Sequence, residues 1–165
     1  MFDDAIRDQA RAVLDACRAQ GLMLVVAESC TGGLVAGALT EIAGASDVVE
    51  RGFVTYSYES KTAMLGVPAE TIAGHGAVSE EVARAMAEGA LALSRAQIAI
   101  AVTGVAGPGS DSQAKPAGLV HLAAARDGKD TLHEKREFGD AGRDAVRRAS
   151  VEAALDLVLK LLQRA

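Results

Sequence analysis

The chain alternates between stretches with an apolar residue every third or fourth position and short runs that are apolar throughout. These are the signatures of amphipathic helix and buried strand. Residues 3–20 place Ile6, Val13, Leu14 and Cys17 on one helical face, with Asp3 or Asp4 as the cap and Gly21 as the stop. Residues 22–27 follow as a Val/Leu run, a strand buried on both faces. After a polar turn, Leu34, Ala38 and Ile42 define a helix over 34–42. Residues 48–58 carry Val49, Phe53, Val54 and Tyr56 and predict a second strand. Helical turns are expected over 59–65 and 69–74. Ser79 then caps a helix to about Arg95, with Glu80 and Glu81 suited to its positive end. Residues 98–103 read as an apolar strand and 104–112 as a loop. Residues 117–125 and 131–138 pair as an antiparallel hairpin across Asp127-Gly128. A last helix runs from near Asp140 to the end. Val151, Ala154, Leu155, Val158 and Leu162 form its core stripe, and Leu157, Leu159 and Leu161 widen the apolar surface. That width predicts a homodimer or higher homo-oligomer.

Helices and strands alternate without repeat or linker, so residues 1–165 are expected to form one domain. The pattern predicts an α/β fold, a three-layer α/β/α sandwich with a mixed, mostly parallel sheet of about five strands. In such sheets ligands gather at the carboxyl ends of the strands. Two unusual loops fall there, residues 28–33 and 103–112, and both are expected to open on one cleft.

Composition narrows the function. The 165 residues carry 17 Lys plus Arg against 22 Asp plus Glu, a formal net charge of −5. With no basic run and only 3% aromatic residues, the chain lacks the footprint of a nucleic-acid binder. No apolar stretch reaches the roughly 20 residues of a membrane span. The acidic start Met1-Phe2-Asp3-Asp4 does not read as a signal peptide, so a cytoplasmic protein is expected. Cys17 and Cys30 read as buried thiols. With three scattered His they give no metal-ligand spacing, so no metal and no cofactor are expected.

Four segments could carry chemistry. Glu28-Ser29-Cys30-Thr31-Gly32-Gly33, between a buried strand and a helix, suits an anion cradle or a nucleophile beside an oxyanion site. Equally, Ser29 or Thr31 could simply cap the helix. Tyr56 and Tyr58, two apart in a predicted strand, share a face toward which Lys61 could fold. A desolvated Lys61 would be a base for a serine, whereas an ordinary surface lysine would be solvated. Thr103-Gly104-Val105-Ala106-Gly107 suits a nest of backbone donors, with Lys115 near a substrate phosphate, while residues 110–114 read as a mobile surface loop. Arg143 can reach an anionic ligand from the start of the last helix, although Arg143, Arg147 and Arg148 also read as a solvated basic face. His75 between glycines reads as a turn residue, and His121 and His133 as structural or exposed.

Taken in order, these segments resemble the CinA C-terminal-domain family. The carrying residues are Ala27 to Gly33, Phe53 to Ser57 with Lys61, His75 to Ala83, Ala101 to Pro108, Lys115 to Gly118, and Phe138-Gly139-Asp140 with Arg143. The match runs over about residues 5–162. Stand-alone members of the family include nicotinamide mononucleotide deamidases. The resemblance implies an α/β/α sandwich that hydrolyses the carboxamide of that nucleotide to a carboxylate, releasing ammonia. It implies Ser29 as nucleophile, Lys61 as its base and Tyr56 in the same network. It places the substrate against Thr31, Gly32 and Gly33 after the first strand and against Thr103, Gly104 and Gly107 after the third. Tyr58, Lys115 and Arg143 complete the expected contacts. Tyr58 stands where many relatives carry Asn, and residues 109–113 have fewer glycines than is common. Longer family members carry a further domain with a separate pyrophosphatase activity, expected to be absent here. The alternative reading is a non-catalytic nucleotide-binding module that partners another protein.

Overall fold

In the computed structural model, which describes residues 1–111 and 114–164, the chain runs α1 (Asp4–Gln20), β1 (Leu24–Glu28), α2 (Leu34–Thr40), a 3₁₀ turn (Ala45–Asp47), β2 (Val49–Val54), α3 (Tyr58–Leu65), α4 (Ala69–His75) and α5 (Glu80–Ala92). It continues through β3 (Ile98–Gly104), β4 (Leu119–Arg126), β5 (Leu132–Glu137) and α6 (Arg143–Gln163). The five strands lie in the order β2-β1-β3-β4-β5. β1 is parallel to β2 and β3, and β4 is antiparallel to β3 and β5, so four of the five strands run one way. This is the mixed, mostly parallel sheet expected from the pattern.

Each face of the sheet has its own core. On one side α1, α2 and α6 pack Leu14, Leu39 and Val158 against Val26, Ile100 and Leu122. On the other, α3, α4 and α5 pack Leu65, Ile72 and Met86 against Val25, Ala99 and Ala123. Alanine dominates this second side, which brings α5 close to its neighbours. At Gly89 a Cβ would sit 1.9 Å from the Leu65 carbonyl oxygen, so the contact between α5 and the end of α3 tolerates no side chain there.

The chain leaves β1 through α2 to reach β2, then returns over the opposite face and adds β3 on the other side of β1. This reversal opens a crevice beyond the carboxyl ends of β1 and β3.

Several expectations are corrected. The second strand ends at Val54 instead of reaching Tyr58. Ser57 adopts an extended conformation and its Oγ accepts the Ser60 N–H, so the capped helix α3 starts at Tyr58. Tyr56 and Tyr58 therefore do not alternate along a strand. The last helix starts at Arg143, after Gly142 at φ +89°, instead of at Asp140. Leu157 and Leu161 lie in this chain's own core, at 1% and 2% exposure, so they offer no surface to a second copy. Within the loop predicted over 110–114, Ser112 and Gln113 lie outside the described residues. Among the described residues no helix is long and apolar enough to cross a membrane.

Candidate active site

A cleft of about 320 Å³ opens at the carboxyl end of the sheet, a size suited to a small ligand. Ser29 and Cys30 form its floor after β1. Tyr56, Tyr58 and Lys61 enter from the segment after β2, and Ala77 and Val78 from the loop before α5. Thr103 to Asp111 make a continuous wall after β3, and Arg143 closes the rim from the start of α6.

The turn at Ser29 is held from several directions. Its own N–H donates to the Val102 carbonyl (2.9 Å), fixing it to β3, and its carbonyl accepts the Gly32 N–H (3.0 Å). Gly32 and Gly33 sit at φ +59° and +99°, a left-handed backbone that lets the chain reverse from strand into helix. The Glu28 carboxylate, 1% exposed, accepts the N–H groups of Gly33, Val35 and Ala36 at 2.9–3.1 Å. The first turn of α2 is thereby satisfied from within the chain. On the outer side, Arg147 donates to the carbonyls of Cys30 (3.2 Å) and Thr31 (3.1 Å).

Lys61 is the exceptional group. It points inward from α3, is 1% exposed, and its Nζ donates to Ser29 Oγ at 3.0 Å and to the Thr55 carbonyl at 2.7 Å. No carboxylate pairs with it among the described residues. Burial lowers its pKa to about 8, opposed by the nearby Cys30 thiol. Near neutrality, a real fraction of Lys61 is a free amine hydrogen-bonded to a serine hydroxyl. That is the arrangement that turns serine into a nucleophile. Cys30, beside Ser29, is pushed the other way: burial raises its pKa to about 12, so its thiol stays protonated.

The other sequence candidates divide into two groups. Tyr56 and Arg143 form a rim pair, the guanidinium donating to the Tyr56 hydroxyl (2.8 Å) and to the Gly107 carbonyl (2.9 Å). Tyr56 makes no hydrogen bond to Ser29 or Lys61 among the described residues, although all three line the cleft. Tyr58 is half exposed at the first position of α3 and also lines the cleft. Gly104 and Gly107 belong to the wall. Thr103 lines the cleft too, but its hydroxyl donates to the Ala77 carbonyl (2.8 Å) and so pins the opposite wall.

Thr31, Gly32, Gly33 and Lys115 do not line the cleft. The Gly32 and Gly33 N–H groups, expected to face a substrate, donate to Ser29 and Glu28 instead. Lys115 donates to the carbonyls of His75 and Val78, strapping the loop that carries Ala77 and Val78. The residues that sequence reasoning passed over are Glu28, Arg147, Ala77 and Val78. Glu28 had a signal: a carboxylate closing a buried strand, with a helix starting six residues on, has that helix's N–H groups in reach. Arg147 had none, since it reads as a solvated face.

Outside the cleft, the His121 and His133 rings meet nitrogen to nitrogen at 2.9 Å on β4 and β5. Burial chiefly lowers the His121 pKa to about 4, helped by His133, and lowers that of His133 as well. Among the described residues no group of three or more His, Cys, Asp or Glu is arranged to hold a metal.

Fold and site together define a doubly wound α/β/α protein with a buried serine–lysine pair at its switch point. The chain belongs to the CinA C-terminal domain family, whose model matches residues 6–162. It is 46% identical over 155 residues to the Escherichia coli K12 protein named nicotinamide-nucleotide amidohydrolase PncC, covering 94% of this chain and 93% of that one. The Pseudomonas putida protein of the same name is 48% identical over 158 residues, covering 96% and 98%. A putative competence-damage inducible protein of Caldicellulosiruptor saccharolyticus is 46% identical over 91% of this chain, which spans only 36% of that longer relative. Among solved structures, the competence/damage inducible protein CihA of Agrobacterium tumefaciens superposes with a TM-score of 0.96 at 52% identity, covering 99% of each chain.

Proposed function

We propose that this chain hydrolyses the carboxamide of nicotinamide mononucleotide to nicotinate mononucleotide and ammonia through a Ser29–Lys61 pair. The observation that carries this reading is the 3.0 Å contact between Ser29 Oγ and an inward-facing lysine whose pKa burial has lowered to about 8. The names of the near-full-length relatives in Escherichia coli and Pseudomonas putida supply the substrate.

The chemistry proceeds in two halves. Neutral Lys61 takes the proton from Ser29 as Oγ forms a bond to the carboxamide carbon. The Lys61 ammonium then returns that proton to the leaving nitrogen, the C–N bond breaks, ammonia departs and an ester to Ser29 remains. Water, losing its proton to Lys61, attacks the ester, and Ser29 leaves with the proton it regains. An amide is a poor electrophile, so the covalent route replaces one high barrier with two lower ones. The first proton moves between Ser29 Oγ and Lys61 Nζ, which are already in hydrogen-bond contact. The substrate's phosphate meets Arg143 at the rim, where a guanidinium can grip two oxygens. Tyr56 orients that guanidinium, and the wall from Gly104 to Gly107 faces the ring and sugar.

Ammonia release from nicotinamide mononucleotide tests the reading. The wild type is expected to turn over, and Ser29→Ala, if folded by circular dichroism, is expected not to. A folded wild type that binds the nucleotide without releasing ammonia would instead support a binding module. A panel of other carboxamide nucleotides, run in the same assay, fixes the substrate.

A further inference from the structure

Glu28 is a buried carboxylate that the two-residue chemistry does not use. It closes β1, is 1% exposed and makes no ion pair among the described residues. A charge so buried is costly unless hydrogen bonds hold it. Here three backbone N–H groups do so, that of Gly33 at the N-cap of α2 at 3.1 Å and those of Val35 and Ala36 within it at 3.0 and 2.9 Å. The side chain therefore spans the turn that carries the nucleophile and ties the end of the strand to the start of the helix. Its main chain is fixed as well, the carbonyl accepting the Thr55 N–H at 2.8 Å. Thr55 is also the residue whose carbonyl holds Lys61 Nζ. One residue thus touches the supports of both members of the pair.

Arg147 clamps the same turn from α6 by its carbonyls, at Cys30 and Thr31. The donors of Gly32 and Gly33 are spent inside the chain. Among the described residues, the N–H groups of Cys30 and Thr31 make no backbone–backbone hydrogen bond, and that of Cys30 meets only its own thiol. Cys30 lines the cleft directly after Ser29. A donor at that position meets the charge that develops on a carbonyl attacked by the preceding side chain.

We propose that Glu28 is a positioning residue for the reaction: by occupying N–H groups at the start of α2, it sets the turn so that Ser29 Oγ meets Lys61 and the Cys30 N–H, which no other residue takes up, is held for the reacting oxygen. Arg147 is its counterpart on the carbonyl side. The proposal rests on the Ser29–Lys61 reading given above. A loss of this positioning slows chemistry without weakening substrate binding, because neither Glu28 nor Arg147 lines the cleft.

The test compares wild type, Glu28→Gln, Glu28→Asp and Arg147→Met. Three quantities are measured: kcat and KM for ammonia release, the thermal midpoint, and the rate at which a fluorophosphonate labels Ser29, followed by intact mass. Glu28→Gln keeps the shape but loses the charge and presents an N–H to one of its former donors. It is expected to lower kcat about 10- to 100-fold, leave KM within about threefold, and slow labelling by the same factor as kcat. Glu28→Asp keeps the charge but falls short of α2, and is expected to lose as much. A folded Glu28→Gln protein with wild-type kcat and labelling overturns the proposal, as does full activity in Glu28→Asp. If Glu28→Gln does not fold, Arg147→Met carries the test: a kcat loss at unchanged KM is expected, and wild-type kcat overturns it. A wild type that labels at Ser29 but releases no ammonia would strike the proposed reaction alone, and the labelling comparison would still decide the role of Glu28.

Discussion

The two glycine-rich loops at the carboxyl end of the sheet look alike in sequence and do different work. In the turn after β1, nearly every polar backbone group is spent inside the chain, on Glu28, Val102 and Arg147, and only Ser29 and Cys30 reach the cleft. At the end of β3 and in the loop after it, every residue from Gly104 to Asp111 lines the cleft. In the proposed reaction the first loop would hold the reacting side chain in one place, and the second would be the wall against which the substrate rests. Glycine serves turn geometry in the first, at Gly32 and Gly33. In the second it keeps Gly104 clear of Leu119 and Val120, whose atoms a Cβ would meet at 2.9 and 2.7 Å. A rigid support and a contact wall should respond differently to mutation.

The largest effect is expected on the support. Ser29→Ala and Lys61→Ala each remove the covalent route, and kcat for ammonia release should fall by about 10³ or more, with residual substrate binding in titration calorimetry. A comparable KM change with intact kcat would reverse the assignment of the two loops. On the wall side, Arg143→Met should raise KM about 10- to 100-fold with kcat within a few-fold, because it removes binding common to ground and transition states. Lys115→Met touches neither loop's chemistry but unstraps Ala77 and Val78. A KM increase of about threefold is expected, with kcat unchanged.

The smallest effect is on stability and lies away from both loops. The folded His121 pKa is depressed to about 4 from an unfolded value near 6.5, so the unfolded chain binds protons first as pH falls. Stability should therefore drop between about pH 6.5 and 4, by on the order of 2 kcal/mol. Thermal melts of wild type and His121→Gln at about pH 7 and 4.5 read this, and the variant should show the shallower drop. Equal slopes would remove the histidine pair from the account of acid stability.

Much of this comparison was legible in the sequence. Hydrophobic periodicity and glycine and proline stops located the α-helices and strands named above, though not the 3₁₀ turn at 45–47, and the expected strand topology suggested that both glycine loops open on one cleft. Ser29 and Lys61 were legible as candidates, but their contact was not. Lys61 lies between Ser60 and Thr62 in a short helix and reads as solvated; it is buried because its side chain points inward to the Thr55 carbonyl and to Ser29, which is remote in sequence. Tyr56 and Tyr58 were misplaced because aromatic residues extended a strand pattern across the cap at Ser57. Leu157 and Leu161 were misplaced because one helix's pattern does not reveal how widely its neighbours wrap it. Arg147 binds carbonyls over a hundred residues away in sequence, and local pattern carries no trace of that.

The central claim is that burial makes Lys61 the base for Ser29, and its pKa gives the most direct test. A lysine that must be neutral to act makes kcat/KM rise with pH, nearly tenfold per unit below its pKa and level above it. Measured by ammonia release from nicotinamide mononucleotide between about pH 6 and 10, wild-type kcat/KM should climb and flatten around a midpoint near 8, where burial sets Lys61. A profile that is flat over that range, or that rises only toward an ordinary lysine pKa, would contradict the account.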